Sequence, residues 1–261
     1  MMFADVGDTL TLDASEPMGF TVEGPFAAGL ADETDNLVTR ARDRLLNAAA
    51  KTDAAFGLIL RKDLPLASGL GGGSADAAAA LRLIASALKL EVDCQVVETI
   101  AAGLGSDVPA CLSGAPSVAT GRGERLAEAA PLPDLDVVLV NPGVASPTGP
   151  VYRAYDQAVS PQGADSPAWP PGFLTAADVA AFLRCCRNDL EAPAVTLQPE
   201  IGEVLAVLRG QPETLLARMS GSGATCFAIC DSAERAQTMA DRVSVQREGW
   251  WIRRCKLRGV G

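Results

Sequence analysis

The residues with the clearest chemical potential run from Leu64 to Asp76, Leu-Pro-Leu-Ala-Ser-Gly-Leu-Gly-Gly-Gly-Ser-Ala-Asp. Gly69, Gly71, Gly72 and Gly73 occupy four of five positions. Glycine lets the backbone come close to an anion and adopt positive φ without a Cβ penalty. An alanine-rich stretch follows, which predicts a helix from about Ala75 to Leu88 whose free N–H groups and dipole favour negative charge. The combination is a cradle for a polyphosphate. A flexible turn is the competing explanation, but this density of glycine would destabilise a purely structural turn. A P-loop is excluded because no lysine lies in the run. A dinucleotide fingerprint fails because Arg61 to Ser68 separate the preceding strand from the first glycine.

Composition narrows the choice of ligand. The chain has 261 residues, 48% hydrophobic and 21% charged, enough for a sizeable core in one or two domains. Its net charge is -10, the wrong sign for meeting a nucleic-acid backbone. Histidine is absent, which removes Ser-His-Asp and Cys-His catalysis and the common zinc sets. The seven cysteines include no CxxC pair and read as buried, reduced thiols of a cytoplasmic protein. No segment has the length of a membrane span, so neither nucleic acid nor membrane is expected as a partner.

The elements that must position the run read as α+β. Met2 to Val6 suggests a strand, and alternation up to Glu23, with a turn at Ser15-Glu16-Pro17, suggests an antiparallel hairpin. Asp35-Asn36 caps a helix with Leu37, Ala41, Leu45 and Ala48 on one face. Strands are expected at 56–60, 136–140, 215–219, 225–229 and 250–257, and further helices at 95–104, 175–184, 200–208 and 233–245. Proline- and glycine-rich stretches after Asn141 place the domain boundary between 141 and 142, giving domains 1–141 and 142–261.

Residues Pro65 to Ala78 resemble the second motif of the GHMP kinases, a superfamily that includes galactokinase, homoserine kinase and mevalonate kinase. Gly7-Asp8-Thr9, Asp35-Asn36-Leu37-Val38, Gly105-Ser106-Asp107-Val108-Pro109, Pro142-Gly143-Val144, Asn188-Asp189-Leu190-Glu191 and Ser220-Gly221-Ser222-Gly223-Ala224 match in order along nearly the whole chain. The resemblance implies a two-domain GHMP-kinase-type fold with a ferredoxin-like C-terminal domain. The most similar members phosphorylate the 2-hydroxyl of a cytidine diphosphate-linked methylerythritol in non-mevalonate isoprenoid synthesis. ATP and Mg²⁺ are then the implied cofactors, and a small molecule the partner.

By that resemblance Pro65, Leu66, Ala67, Ser68, Gly69, Leu70, Gly71, Gly72, Gly73, Ser74 and Ala75 hold the nucleotide, with Ser74 also at the metal. Asp107 reads by itself as a helix N-cap before Pro109, whereas the resemblance makes it the base for the substrate hydroxyl. Lys62 is either a solvated charge or a lysine lining the nucleotide site. Asn36 is a cap that the resemblance places near the nucleotide base. Gly221, Ser222 and Gly223 form either a tight turn or the motif closing over substrate. Thr148 and Tyr152 match contacts to the cytidine end, with packing of Tyr152 as the alternative. The resemblance also implies an earlier strand with a lysine beside the transferred phosphate and a Tyr-His turn on the cytosine, neither present in these residues. The expectation is a native start further upstream. The alternatives are an inactive nucleotide-binding relative and a GHMP kinase for another small alcohol.

Overall fold

The computed structural model describes residues 1–15, 19–30, 35–121, 123, 125–158 and 167–260. The expected turn at Ser15-Glu16-Pro17 falls largely outside them. The chain divides into two compact units, one formed mainly by residues 7–66 and 71–128, the other by 2–6, 67–70 and 129–260.

In the first unit, β1 (Thr9–Asp13), β2 (Phe20–Glu23) and β3 (Gly57–Arg61) form a sheet in the order β1-β3-β2. The expected hairpin is therefore not formed. β1 runs antiparallel to β3 and β2 parallel to it. β3 is the central strand, with Leu58 and Leu60 1% exposed, while the alternating patterns of β1 and β2 suit outer strands. The helices α1 (Leu37–Ala48), α2 (Gly72–Ala87), α3 (Cys94–Leu104) and α4 (Val108–Ser113) share one core with this sheet. A short hairpin of β4 (Ser117–Thr120) and β5 (Arg125–Glu128) completes the unit.

The buried face of α1 is Val38, Ala41, Arg42, Leu45 and Leu46 rather than the line through Leu37 and Ala48. This keeps the helical repeat but turns it by one residue. In α2, Ala77, Ala78 and Ala80 are fully buried beside Leu81 and Ile84. Small side chains give α2 a low surface, so neighbouring helices can approach closely. A 3₁₀ turn at Ala27–Leu30 was not anticipated.

The second unit is built on β6 (Leu135–Asn141), β7 (Leu216–Met219), β8 (Cys226–Cys230) and β9 (Trp251–Leu257), an antiparallel sheet in the order β7-β8-β6-β9. Six of the seven residues of β6 are buried, which is the pattern of a central strand. Its pairing with β8 and β9 puts β6 in this unit, earlier than the boundary drawn between 141 and 142. Residues 2–6 do not form a full strand. They make one antiparallel bridge, Ala4 to Leu257, and Asp5 exchanges bonds with Lys256. The helices are α5 (Thr148–Gln157), α6 (Ala176–Cys185), α7 (Glu191–Leu197), α8 (Pro199–Arg209) and α9 (Ala233–Gln246). Ile201, Leu205, Met239 and Val243 of α8 and α9 pack on Val138, Val140 and Ala228.

No helix among the described residues is long and apolar enough to cross a membrane. Cys226, Cys230 and Cys255 are buried, and burial pushes their thiols up to about 12. Cys94 and Cys185 are exposed, contrary to the expectation of uniformly buried thiols.

Candidate active site

After β3 the glycine run turns three times through positive φ, at Ala67 (45°), Gly69 (72°) and Gly71 (70°). Helix α2 starts at Gly72, three residues earlier than its alanine content suggested, so Gly72, Gly73 and Ser74 form its first turn. The N-cap is Gly71, and no side chain caps the helix. The i→i−4 ladder of α2 opens with Ala75 N–H donating to Gly71 O at 2.9 Å. The amides ahead of it have no i−4 carbonyl to reach, and they point out at the positive end of the dipole. An uncapped first turn flanked by glycines fits a polyphosphate. Ser74 adds a hydroxyl on that turn, which suits a Mg²⁺ ion that takes most of its ligands from phosphate and water.

Residues 67–70 are fastened within the second unit. Thr225 N–H donates to Ser68 O at 3.0 Å, Ser220 Oγ to Gly69 O at 2.9 Å, and Ser146 N–H to Ala67 O at 3.3 Å. A Cβ on Gly69 would press on Ser220 O and lie 2.7 Å from Gly223 O. Only glycine fits there.

The loop that grips the run is itself held. Gly223 N–H donates to Ser220 O and Ser220 N–H to Thr225 O, both at 2.9 Å. Asn188 donates to Met219 O at 3.0 Å and to Gly221 O at 2.8 Å, while its own oxygen accepts from Leu190 N–H. Buried Asn141 donates to Thr225 Oγ1 at 2.9 Å. Ser146 Oγ donates to Ser222 O at 2.7 Å, and Thr148 Oγ1 lies 3.0 Å from Ser222 Oγ. Thr148 and Ser222, singled out separately, thus meet. Tyr152 follows Thr148 by one turn of α5, is 51% exposed and stacks on no ring among the described residues. Sequence reasoning assigned no role to Asn141, Ser146 or Asn188. The one available signal was Asn188 at the head of a matched motif.

Lys62 is not a solvated charge. It is 3% exposed and its ammonium binds Asp8 and, at 2.8 Å, Asp76 of α2. Asp8 also accepts from the N–H groups of Asp63 (2.7 Å) and Leu64 (2.9 Å). Burial opposes the lysine's charge, but the two carboxylates outweigh it and raise its pKa. For Asp76, burial outweighs Lys62 and lifts the carboxyl from the ordinary 3.8 to about 6. A carboxylate raised on folding contributes stability below its unfolded pKa and loses that contribution as pH rises through the folded one. Unfolding free energy is therefore expected to fall, through this group, between about pH 4 and pH 6. Denaturation across that range should show the fall in wild type and not in Asp76→Asn.

Asp107 stands at the N-cap of α4, yet its side chain makes no capping bond. Its carboxylate is exposed, with Ser106 Oγ at 3.3 Å. An exposed acceptor with no structural duty can take a proton from an incoming hydroxyl. Asn36 does cap its helix, accepting from Val38 N–H at 2.9 Å.

Residues 36–115 match the model of the GHMP kinases N terminal domain, and residues 174–246 that of the GHMP kinases C terminal. A 4-diphosphocytidyl-2-C-methyl-D-erythritol kinase of Caulobacter vibrioides is 51% identical over 98% of this chain and 89% of its own. The chain belongs to the GHMP kinases. The namesake kinase of Hyphomonas neptunium is 46% identical over 98% of this chain and 87% of its own. A crystal structure of 4-(cytidine 5'-diphospho)-2C-methyl-D-erythritol kinase superposes with TM-score 0.76 at 32% identity, covering 99% of this chain and 88% of that one. Homoserine kinase from Cytophaga hutchinsonii shares the fold, with TM-score 0.72 at 18% identity over 100% of this chain and 89% of its own. The α+β GHMP-kinase fold and the small-molecule kinase class read from the sequence are borne out, and the non-enzymatic alternative is not favoured.

Proposed function

We propose that this chain catalyses transfer of the γ-phosphoryl group of ATP to the 2-hydroxyl of 4-diphosphocytidyl-2-C-methyl-D-erythritol. The observation that carries the reading is the uncapped first turn of α2 at the end of the Pro65–Ser74 run. Substrate choice is supported by relatives of that name that match nearly the whole chain. Mg²⁺, held by Ser74 and the phosphates, would supply positive charge against the phosphate oxygens.

Each group of residues has a task. The run from Pro65 to Ala75 holds the phosphates through backbone amides, and Ser74 offers its hydroxyl to the metal. Lys62 acts from beneath this turn, and Asn36 holds the helix edge near the nucleotide base. Asp107 orients the acceptor hydroxyl and takes its proton, the one acid–base task that phosphoryl transfer requires. Thr148, with Gly221, Ser222 and Gly223, binds the acceptor, and the exposed ring of Tyr152 offers a stacking face for cytosine. Free cysteines suit a reducing cytoplasm.

ADP release with Mg²⁺, ATP and the diphosphocytidyl acceptor should proceed at about 1–100 per second. Mevalonate and homoserine should give background rates under the same conditions. Equal turnover with either of them would overturn the substrate assignment, and no turnover with any alcohol would overturn the kinase reading.

A further inference from the structure

The buried cluster of Asp8, Lys62 and Asp76 has a placement that ion pairing alone does not require. Its three side chains are 1%, 4% and 9% exposed. Asp8 holds the amides of Asp63 and Leu64, where the chain leaves β3 for the glycine run. Asp76 lies in the second turn of α2, where the run ends. Lys62 joins the two. One cluster therefore pins both ends of the segment from Asp63 to Gly71.

The first turn of α2 rests directly on this cluster. A Cβ added to Gly72 would lie 3.4 Å from Asp8 Oδ2 and 3.6 Å from Lys62 Nζ. The segment between the pins contains three residues at positive φ, so its shape is not maintained by a regular hydrogen-bond ladder. The amides that would meet phosphate, in the first turn of α2, lie between the end of this segment and the second pin at Asp76. Displacements well below 1 Å at such donors weaken anion binding, because charge-assisted hydrogen bonds are short and directional.

We propose that Asp8, Lys62 and Asp76 are positioning residues that set the first turn of α2 for the nucleotide's phosphates. The inference rests on the kinase reading above and adds roles for Asp8 and Asp76 while redefining that of Lys62. Buried charge makes the arrangement rigid. A carboxylate that lost the lysine would be left buried without a compensating charge, so alternative positions of the loop ends are strongly disfavoured.

Isothermal titration of Mg²⁺–ATP and of phosphate-free adenosine separates this role from a general contribution to folding. Asp76→Ala cuts the pin at α2 and leaves Lys62 paired with Asp8. Asp8→Ala cuts the pin at the loop entrance and leaves Lys62 paired with Asp76. Each is expected to weaken ATP by about tenfold or more, the loss of one charged hydrogen bond, while adenosine affinity stays within about threefold. Asp76→Asn keeps an oxygen for the ammonium and should restore ATP affinity to within about threefold of wild type.

Circular dichroism identifies the folded variants, and the two cuts are independent, so failure of one to fold leaves the other to decide. Unchanged ATP affinity in a folded Asp76→Ala or Asp8→Ala chain would overturn the proposal. So would an equal loss for ATP and adenosine. The titration needs no turnover, so a failed kinase assay is a separate result. A wild-type chain that does not bind ATP would overturn both readings.

Discussion

Gly69→Ala is expected to lower unfolding free energy by about 3 kcal/mol and to abolish measurable ATP binding. Two penalties combine at this position. A φ of 72° costs an L-residue about 1–2 kcal/mol. The added methyl would also press on backbone at Ser220 and Gly223, which cannot rotate away as a side chain could. The carbonyl of Gly69 is the acceptor for Ser220 Oγ, and its neighbours' carbonyls hold Thr225 and Ser146, so relief by movement would release the whole segment.

Gly71→Ala is the natural control. Its φ is 70°, but a Cβ there would meet nothing within 4 Å. Only the conformational penalty remains, about 1–2 kcal/mol, and ATP binding should survive. Chemical denaturation and calorimetric titration of the two variants would check this. Equal behaviour would show that the contact at Gly69 is unimportant.

Asp107→Asn is expected to lower kcat by about 10²–10⁴-fold, the usual range for loss of a general base. ATP affinity should stay within about threefold, since the phosphates are assigned to the amides of α2. Stability should hardly change, because the carboxylate is exposed and caps nothing. The contrast with a helix cap is sharp. A capping aspartate replaced by alanine costs about 1 kcal/mol and leaves chemistry alone. Single-turnover kinetics with denaturation of Asp107→Asn and Asp107→Ala therefore distinguish the two roles. A normal kcat in either folded variant would remove Asp107 from the mechanism.

Several features were legible before any coordinates. The glycine run announces close backbone approach because no other residue tolerates positive φ and crowding together, and Gly69 shows both. The amphipathic helices follow from local periodicity, and the Asn36 cap from a side chain two residues from the amide it accepts. Order and spacing of motifs along the whole chain carried the kinase family.

Other features arise only from contacts distant in sequence. Nothing in the alternation of β1 and β2 says that β3, more than thirty residues after β2, inserts between them. Lys62 reads as a surface charge until the fold brings Asp8, 54 residues away, and Asp76 around it. Asn188 gains its meaning from the carbonyls of Met219 and Gly221. Asp107 has the sequence of a cap, and only the backbone at its own position turns the carboxylate away from that task. Local patterns encode which conformations a segment can adopt. Which buried polar group finds which partner is decided by packing of the whole chain, because a long-range hydrogen bond leaves no local trace in the residues that make it.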